Sequence, residues 1–353
     1  MADSMMKDFI AKVGKGQKAG KDLTWEEARQ AMRLLIEGQA TPAQVGAFLL
    51  AMRVKMESVA ELAAFTAAAR EYVPALDIPR TPDLVDVPTY AGKQETFHVL
   101  VGAAVVASAG GASILMHGHE GLPERPGAAV VAAKLGLSVD LTPKQAADEV
   151  AAKGLAYLDI ALYHPPVARY LDLRRELGVR SFFHPVAKML NPARAASQVI
   201  GLTHPPYFEK TAEALKMLGS RRALILRGVE GDPELSIASV TRLLELKDER
   251  IFPLSLQPKD FGLPMGSARD MAGAARIDDE AALLRQLLQN QVRGAQRDWL
   301  LLNAAMLLYA AGKATSISAG VPVALRTLES GAAAQKLSDL AGQPHLSTIG
   351  SSP

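Results

Sequence analysis

The chain has 353 residues, of which 49% are hydrophobic and 22% are charged, a balance typical of a globular protein with one large or two medium domains. It contains no cysteine, which excludes disulfides and thiolate zinc sites and favours a reducing, cytoplasmic location. The formal net charge of +2 is too small to mark a nucleic-acid-binding protein by itself. No apolar run reaches the roughly 18 residues that a membrane span needs, so we expect no membrane partner.

The first part of the chain reads as helical. Within residues 22–75, Thr24 opens a capping box, Pro42 takes a first helical position and Ser58 starts a third helix. Short connections between these segments favour antiparallel neighbours. Residues 1–21 carry five lysines against two aspartates, which indicates either a mobile, solvated arm or an arm that binds anions.

Beyond a proline-rich connector at 74–83, short apolar runs alternate with helical segments. Alternation of this kind predicts right-handed βαβ units and a mainly parallel sheet, hence an α/β domain beside the helical one. The charged segment 164–180 interrupts the alternation, and residues 341–353 are expected to be disordered. The expected strands are 84–87, 113–116, 156–160, 223–226 and 252–256, and the expected helices include 127–135, 142–153 and 278–312.

Residues 84–101 read as a strand, a tight turn and the start of a helix near residue 96. At the edge of a parallel sheet, free N–H groups and the helix dipole converge at such a turn and favour anion binding. An ordinary strand-to-helix loop is the alternative, and the pattern leaves both open. The candidate ligand-binding residues of this segment are Thr89, Gly92, Lys93, Thr96 and His98.

His117 and His119 follow the second expected strand. Histidine is a good metal ligand, but Gly118 is expected to end the strand, so the two rings have no fixed common direction. We therefore favour a polar cleft wall over a metal site.

Two charged segments leave their roles open. Arg174 presents a guanidinium that fits a carboxylate, or it belongs to a salt-bridged helix surface with Asp172 and Glu176. Glu230, Asp232 and Glu234 cluster after a strand, either as a Mg²⁺ site beside phosphate oxygens or as a solvated turn.

In chain order, these segments resemble the anthranilate phosphoribosyltransferase family (glycosyltransferase family 3, with a nucleoside phosphorylase-like fold) over about residues 7 to 340. The matching pieces are Leu23-Thr-x-Glu-Glu-Ala, Gly38-x-Ala-Thr-Pro-Ala-Gln, His164-Pro, Arg174-Arg-Glu-Leu-Gly-Val-Arg, Leu190-Asn-Pro-Ala, Asp260-Phe-Gly-Leu and Ser330-Gly-Ala-Ala.

The resemblance implies a small helical domain (residues 1–75 and about 165–190) and a larger α/β domain (residues 80–163 and 191–340), with the ligand cleft between them. It also implies a homodimer formed through the helical domain. The family reaction displaces pyrophosphate from phosphoribosyl pyrophosphate by the amine of anthranilate, with Mg²⁺ as cofactor.

Several residues that the resemblance assigns to the phosphoribosyl pyrophosphate site are changed here. The family's Gly-Thr-Gly-Gly-Asp-Gly aligns with residues 88–93, Pro-Thr-Tyr-Ala-Gly-Lys, and its Lys-His-Gly-Asn-Arg aligns with residues 116–120, Met-His-Gly-His-Glu. The metal-binding Asp-Glu pair aligns with Pro233-Glu234, with Asp232 one position away. The anthranilate-binding arginine aligns with Arg174.

The resemblance therefore favours a divergent branch whose phosphoribosyl pyrophosphate site is rewritten. On this hypothesis the protein binds single-stranded nucleic acid or another phosphate-bearing ligand without the parent activity. Its basic groove would be lined by Lys93, Arg53, Lys55, Arg174, Arg175 and the amino-terminal lysines. The alternative is an active phosphoribosyltransferase that uses an aromatic amine, anthranilate included, as acceptor.

Overall fold

The structure of the protein is a computed structural model that describes residues 2–78, 83–122 and 124–341. Pro79 and Pro82 of the expected connector lie outside the described residues, and so do residues 342–353 of the expected disordered tail.

The amino-terminal part is helical, as expected. The helices described there are α1 (Ala2–Val13), α2 (Gly16–Ala19), α3 (Trp25–Ile36), α4 (Pro42–Lys55) and α5 (Val59–Arg70). The side chains of Thr24, Thr41 and Ser58 each accept the backbone N–H three residues further on, whose own side chain accepts the N–H of the cap in return. These capping boxes confirm the three predicted helix starts.

Helix α1 corrects the prediction of a mobile amino-terminal arm. Met6, Phe9 and Val13 are buried because they share one face of the helix, and that face packs on α3 and α4. Lys12 is paired with Glu27 at 2.5 Å, so its charge is already compensated. Residues 2–13 are thus part of the helical core.

The central sheet has seven strands and is mainly parallel. The strands of the described residues are β1 (Leu84–Thr89), β2 (Ser113–Gly118), β3 (Gly121–Leu122), β4 (Arg125–Pro126), β5 (Leu155–Asp159), β6 (Ser197–Gly201), β7 (Arg222–Leu226), β8 (Thr241–Lys247) and β9 (Arg250–Leu256). Their order in the large sheet is β5-β2-β1-β6-β7-β8-β9, and β3 pairs with β4 in a separate ribbon. The first five strands of that order run parallel, whereas β8 and β9 are antiparallel.

Three strands at one side of the sheet differ from the prediction. β6 and β8 were not expected, and β9 forms a hairpin with β8 instead of ending a parallel unit. The hairpin turns at Asp248 and Glu249, both of which have positive φ (50° and 61°). Such turns usually carry Asn-Gly or Asp-Gly, so the Asp-Glu pair gave no turn signal.

The remaining helices flank the sheet. They are α6 (Val99–Ala109), α7 (Ala128–Leu135), α8 (Pro143–Lys153), α9 (Ile160–Tyr163), α10 (Pro165–Asp172), α11 (Arg174–Leu177), α12 (Phe183–Lys188), α13 (Pro206–Met217), α14 (Ala268–Met271), α15 (Ile277–Leu288), α16 (Ala295–Ala310), α17 (Ile317–Glu329) and α18 (Ala332–Leu340). Within the described ranges, no helix combines the length and the apolar character that crossing a bilayer requires.

Helices α10–α12 return from the α/β part to the amino-terminal helices. The Tyr170 hydroxyl donates to Leu35 O at 2.7 Å, and the Arg70 guanidinium donates to Met189 O at 2.6 Å. Such contacts are expected if residues 165–190 belong to the helical domain. The domain boundaries themselves stay a prediction.

The sheet separates two apolar cores. Alternate residues of a strand point to opposite faces, so in β7 Ala223 and Ile225 join the core beside the helical part, whereas Leu224 and Leu226 join the core beside α6 and α16. This layering brings the carboxyl ends of the parallel strands opposite α10–α12.

Candidate functional site

The loops after β1 and β2 meet the helical part at one edge of the sheet, where they border a cleft, and the loop after β7 lies beside the loop after β1. All the candidate residues lie on these loops or strand ends except Arg174, which begins α11. The space enclosed by the cleft is about 40 Å³, which is room for a few water molecules. Its lining consists of Tyr90, Ala91, His119, Leu122, Arg125, Leu171, Asp172, Arg174 and His184.

Lys93 does not line this cleft, contrary to expectation. Its side chain is fully buried and paired with the equally buried carboxylate of Glu234. The Lys93 ammonium also donates to Phe97 O at 2.8 Å and lies 5.1 Å from the centre of the Trp299 ring. The other oxygen of Glu234 accepts the N–H of Leu100 at 3.2 Å. Burial raises the pKa of Glu234, while the charge of Lys93 opposes that shift.

Glu230 places a carboxylate against the backbone of the loop after β1. It accepts the N–H groups of Gln94, Glu95 and Thr96 at 3.0, 3.2 and 2.9 Å, and the Thr96 hydroxyl at 2.8 Å. Arg125 contacts it at 3.2 Å. Burial alone would raise the pKa of Glu230, but these hydrogen bonds lower it below its usual value. The segment is therefore not a solvated turn.

A third carboxylate caps helix α6, which begins at Val99 and not near residue 96 as expected. The backbone N–H and the ring Nδ1 of His98 both lie 2.6 Å from Glu280 Oε1. The other ring nitrogen is 3.0 Å from Pro126 O. His98 thus has internal partners for every polar group of its side chain.

His117 and Thr89 belong to a buried polar network. His117 Nε2 lies 3.1 Å from Asp86 Oδ1, and its Nδ1 lies 2.7 and 3.0 Å from the hydroxyls of Tyr90 and Tyr163. The Thr89 hydroxyl donates to His117 O at 3.2 Å. Both side chains face the interior beneath the cleft floor that Tyr90 forms.

The structure does not bring the candidate metal ligands together; these are His117, His119, Asp232 and Glu234. His119 turns away from His117 and lies 3.5 Å from Asp172. Across the described ranges, no three His, Asp or Glu side chains are arranged to hold a metal ion. Asp232 is buried and its Oδ1 has no hydrogen-bond partner, but Glu234 is committed to Lys93. Asp232 and Glu234 therefore do not fit Mg²⁺ in this arrangement.

Arginines give the cleft an excess of positive charge. Within the part of the chain that the structure describes, Arg174 has no ion pair, so the alternative of a salt-bridged surface with Asp172 and Glu176 is not observed. Arg180 donates to Thr203 Oγ1 at 3.3 Å. Burial and then the charges of Arg174, Arg125 and Arg53 lower the pKa of Arg180 to about 10.

Arg180 and His184 are site residues that sequence reasoning missed. The ring of His184 borders the cleft beside Arg174, and its Nδ1 lies 3.2 Å from Ser181 O. Burial, followed by the charge of Arg180, lowers the pKa of His184 to about 3. The only sequence signal was their position in the segment that begins at Arg174, and that segment does not reveal which side chains turn inward.

The expected basic groove is smaller than predicted. Lys55 is buried, and its ammonium forms ion pairs with Asp22 at 2.5 Å and with Glu61 at 2.7 Å. With Lys93 also buried, the cleft keeps Arg174 in its lining, and Arg180 and Arg53 lie near it.

The chain is similar to known proteins over both its helical part and its α/β part. Residues 7–73 match the family model described as "Glycosyl transferase family, helical bundle domain", and residues 81–334 match "Glycosyl transferase family, a/b domain". The anthranilate phosphoribosyltransferase of Geobacillus kaustophilus (strain HTA426) is 34% identical over 337 residues, covering 95% of this chain and 97% of that protein. This chain belongs to the anthranilate phosphoribosyltransferase family.

Solved structures of the anthranilate phosphoribosyltransferase family share the fold. The enzyme from Thermus thermophilus superposes with a TM-score of 0.84 at 30% identity, covering 96% of this chain and 98% of that one. The enzyme from Saccharomyces cerevisiae, solved in complex with PRPP and Mg, gives a TM-score of 0.80 at 20% identity, covering 95% and 96% of the two chains.

The loop at residues 88–93 aligns with the glycine-rich segment of the anthranilate phosphoribosyltransferases. Here its residues contact other parts of the protein. Pro88 has no N–H to offer, and Tyr90 hydrogen-bonds His117 and Tyr163. Gly92 has a φ of 65° and lies so close to the backbone of Arg125 that a Cβ would collide with its carbonyl. Gly92 therefore serves packing of the loop against β4.

Proposed function

We propose that this protein is a divergent family member that binds a phosphate-bearing ligand, single-stranded nucleic acid included, and does not transfer phosphoribosyl groups. The observation that carries the proposal is the distribution of charge around the cleft. Glu230, Glu234 and Glu280 take up the N–H groups near the start of α6, whereas Arg174 and Arg180 keep no carboxylate partner among the described residues.

Phosphoribosyl transfer with release of pyrophosphate needs the opposite distribution of charge. A departing pyrophosphate requires free donors and cations where its charge develops, and here carboxylates hold those donors. At 4 Å, each carboxylate would repel each phosphate charge by about 1–4 kcal/mol, depending on screening. Glu234, which aligns with the family's metal-binding pair, is already paired with Lys93, so we expect no metal to offset the charge.

The arginines suit a phosphate backbone. A guanidinium binds phosphate oxygens through two parallel hydrogen bonds, and Arg174 and Arg53 lie close enough to Arg180 to lower its pKa. Aromatic residues make up only 5% of the chain, which leaves little base stacking. We therefore expect binding that is driven by charge and weakened by salt.

Fluorescence anisotropy with a labelled oligothymidylate tests the proposal. R174Q/R180Q should lower the affinity about tenfold or more, since two phosphate contacts are lost, and the affinity of the wild type should fall as salt rises. R250Q, which removes an exposed arginine of β9, should bind like the wild type. Absence of binding at low salt, or an equal loss in R250Q, would reject nucleic acid as the ligand.

An active phosphoribosyltransferase is the second candidate, and the similarity to curated enzymes favours it. The 34% identity spans 95% of this chain. Activity would require Glu230 and Glu234 to leave their present partners when phosphoribosyl pyrophosphate binds. Turnover with anthranilate separates the two candidates.

We further infer a homodimer formed through the helical domain and acting in the cytoplasm. Leu50 and Val54 lie four residues apart on one face of α4 and are 55% and 48% exposed. A second copy of the chain packed on this face would remove both side chains from water. Sedimentation at micromolar concentration should show twice the chain mass; a monomer would contradict the inference.

A further inference from the structure

Arg227 and Arg242 place two positive charges side by side at the carboxyl end of β7. Arg227 follows β7 directly, and its backbone N–H donates to Arg242 O at 2.9 Å, so the two residues lie opposite each other on neighbouring strands. Both residues are exposed, and neither has an ion pair within the described ranges. Like charges in directly opposite positions destabilise a sheet, so their presence favours a role in binding an anion.

The other end of the β8–β9 hairpin has no such excess of charge. Lys247 lies opposite Arg250 there, but Asp248 and Glu249 form the turn between them and bring the net charge of these four residues to zero. None of the sequence neighbours of Arg227 and Arg242 is acidic. The uncompensated charge therefore belongs to the end of the hairpin that lies on the cleft side of the sheet.

Both arginine side chains project from the face of the sheet that carries the helical part. Alternate residues of a strand share a face. Arg242 is two residues from Leu244, and Arg227 is two residues from Ile225, and both of these apolar residues belong to the core beside the helical part. The helical part also borders the cleft, where Arg174 lies. The two groups of arginines are thus on the same side of the sheet.

The loop after β6 connects the two groups of arginines. The N–H of Leu202 donates to Leu226 O at 2.9 Å, next to Arg227. The following residue, Thr203, contacts Arg180 at 3.3 Å. Three strand spacings separate β1 from β8 in the sheet, which is a distance on the order of 15 Å. One phosphate group cannot span this distance.

We propose that Arg227 and Arg242 continue the phosphate-binding surface of the cleft across the edge of the sheet, and that its ligand is a single-stranded nucleic acid whose backbone runs from Arg174 to Arg242. The inference rests on the function proposed above and specifies the ligand as a chain of phosphates. Contacts of this kind position the backbone and do not depend on the base sequence.

Fluorescence anisotropy with a labelled thymidylate trimer and a labelled thymidylate dodecamer tests the inference. The trimer is too short to reach from Arg174 to Arg242, whereas the dodecamer is long enough. R227Q/R242Q should therefore bind the dodecamer about tenfold or more weakly than the wild type does, since two phosphate contacts are lost, and should bind the trimer with unchanged affinity.

The double variant K247Q/R250Q is the matched control. It removes the same charge from the other end of the hairpin and should bind both oligomers like the wild type. Equal losses in the two double variants, or an equal loss for trimer and dodecamer, would overturn the inference. If the wild type binds neither oligomer, the proposed function fails as well. If it binds both and R227Q/R242Q matches it, only this inference fails.

The salt dependence separates direct phosphate contacts from a general effect of charge. Each phosphate contact on a single strand contributes about 0.7 to the slope of log affinity against log salt concentration. R227Q/R242Q should therefore lower the slope for the dodecamer by about 1.4. An unchanged slope would show that neither arginine contacts phosphate.

Thermal unfolding distinguishes ligand binding from a structural role of the arginines. R242Q removes a repulsion between neighbouring charges, so its melting temperature at low salt should equal or exceed that of the wild type. A melting temperature well below that of the wild type would show that Arg242 stabilises the fold, and would contradict its assignment to a ligand.

Discussion

The ammonium of Lys93 and the carboxylate of Glu234 meet in the interior although 141 residues separate them along the chain. Each charge is tolerated there because the other neutralises it and because Phe97 O and the Leu100 N–H supply further hydrogen bonds. The pair therefore anchors the loop after β1 to the loop after β7. It also removes from the cleft the two residues that were expected to contact phosphate and metal.

Removing one partner of this pair should be costly. K93M leaves Glu234 buried without its cation, so we expect the free energy of unfolding in urea to fall by about 3–5 kcal/mol. K93M/E234Q should recover part of that loss because no isolated charge remains. K144M breaks a fully exposed ion pair with Asp148 and should leave stability unchanged. A loss in K93M as small as in K144M would show that the interior charges are not coupled.

The depressed pKa of His184 predicts a pH dependence of stability. In the unfolded chain the ring takes up a proton near its ordinary pKa of 6.5, whereas in the folded protein it does so only near 3. Stability is therefore full above pH 6.5 and falls as the pH is lowered from 6.5 towards 3, by at most about 1.4 kcal/mol per pH unit.

The variant H184N should flatten this slope while keeping a donor towards Ser181. Urea unfolding at pH 7, 6 and 5 measures the slope. K144M, which changes an exposed side chain, is the control. If H184N and the wild type lose stability in parallel, His184 is not the group that titrates.

Residue types at the site were predictable, but their partners were not. The segments around Lys93, His117 and Glu234 were recognised as chemically important from their positions after strands, and Arg174 from its charged helical segment. Whether a lysine faces a ligand or a carboxylate 141 residues away depends on side-chain packing that no local pattern encodes. Arg180 and His184 escaped notice for the same reason.

At the scale of elements, the loops after β1 and β7 are held to each other by hydrogen bonds. Glu230 from one loop takes up three N–H groups of the other, and Glu234 takes up a fourth at the start of α6. The N–H groups of this strand-to-helix turn are therefore satisfied within the chain, and anion binding at the turn stays a prediction. This is why we infer that the geometry opposes pyrophosphate binding even though the fold is kept.

Helix α1 makes a second prediction at this scale. Met6 is fully buried against the helical core, so M6A should lower the free energy of unfolding by about 2–5 kcal/mol through lost contacts and a cavity. K15A alters an exposed residue of the same region and should have no effect. Equal stability of M6A and K15A in urea would support the mobile arm that the lysine-rich composition first indicated.

Elements with a strong local signal were predicted best. The capping boxes at Thr24, Thr41, Ser58 and Thr142 define helix starts in the structure as they do in the sequence. β6 and β8 lacked such a signal, because Ser197 and Gln198 interrupt the apolar run of one, and charged residues interrupt that of the other. Both strands are defined by their neighbours in the sheet.

For the whole molecule, the family fold has been kept, and we propose that the charge balance of its cleft has diverged. Similarity extends over 95% of the chain, so the arrangement of helical part, sheet and cleft follows from the sequence. The interior carboxylates at the donors, and the arginines left without partners, are visible only in three dimensions. We infer that they turn a site for a pyrophosphate donor into one that repels it and favours other anions.

Calorimetry of the wild-type protein with phosphoribosyl pyrophosphate and Mg²⁺, followed by an assay for anthranilate consumption, tests this account most directly. We predict no saturable binding of phosphoribosyl pyrophosphate and no turnover, because Glu230, Glu234 and Glu280 hold the donors that the pyrophosphate requires. Saturable, Mg²⁺-dependent binding together with consumption of anthranilate would contradict the account.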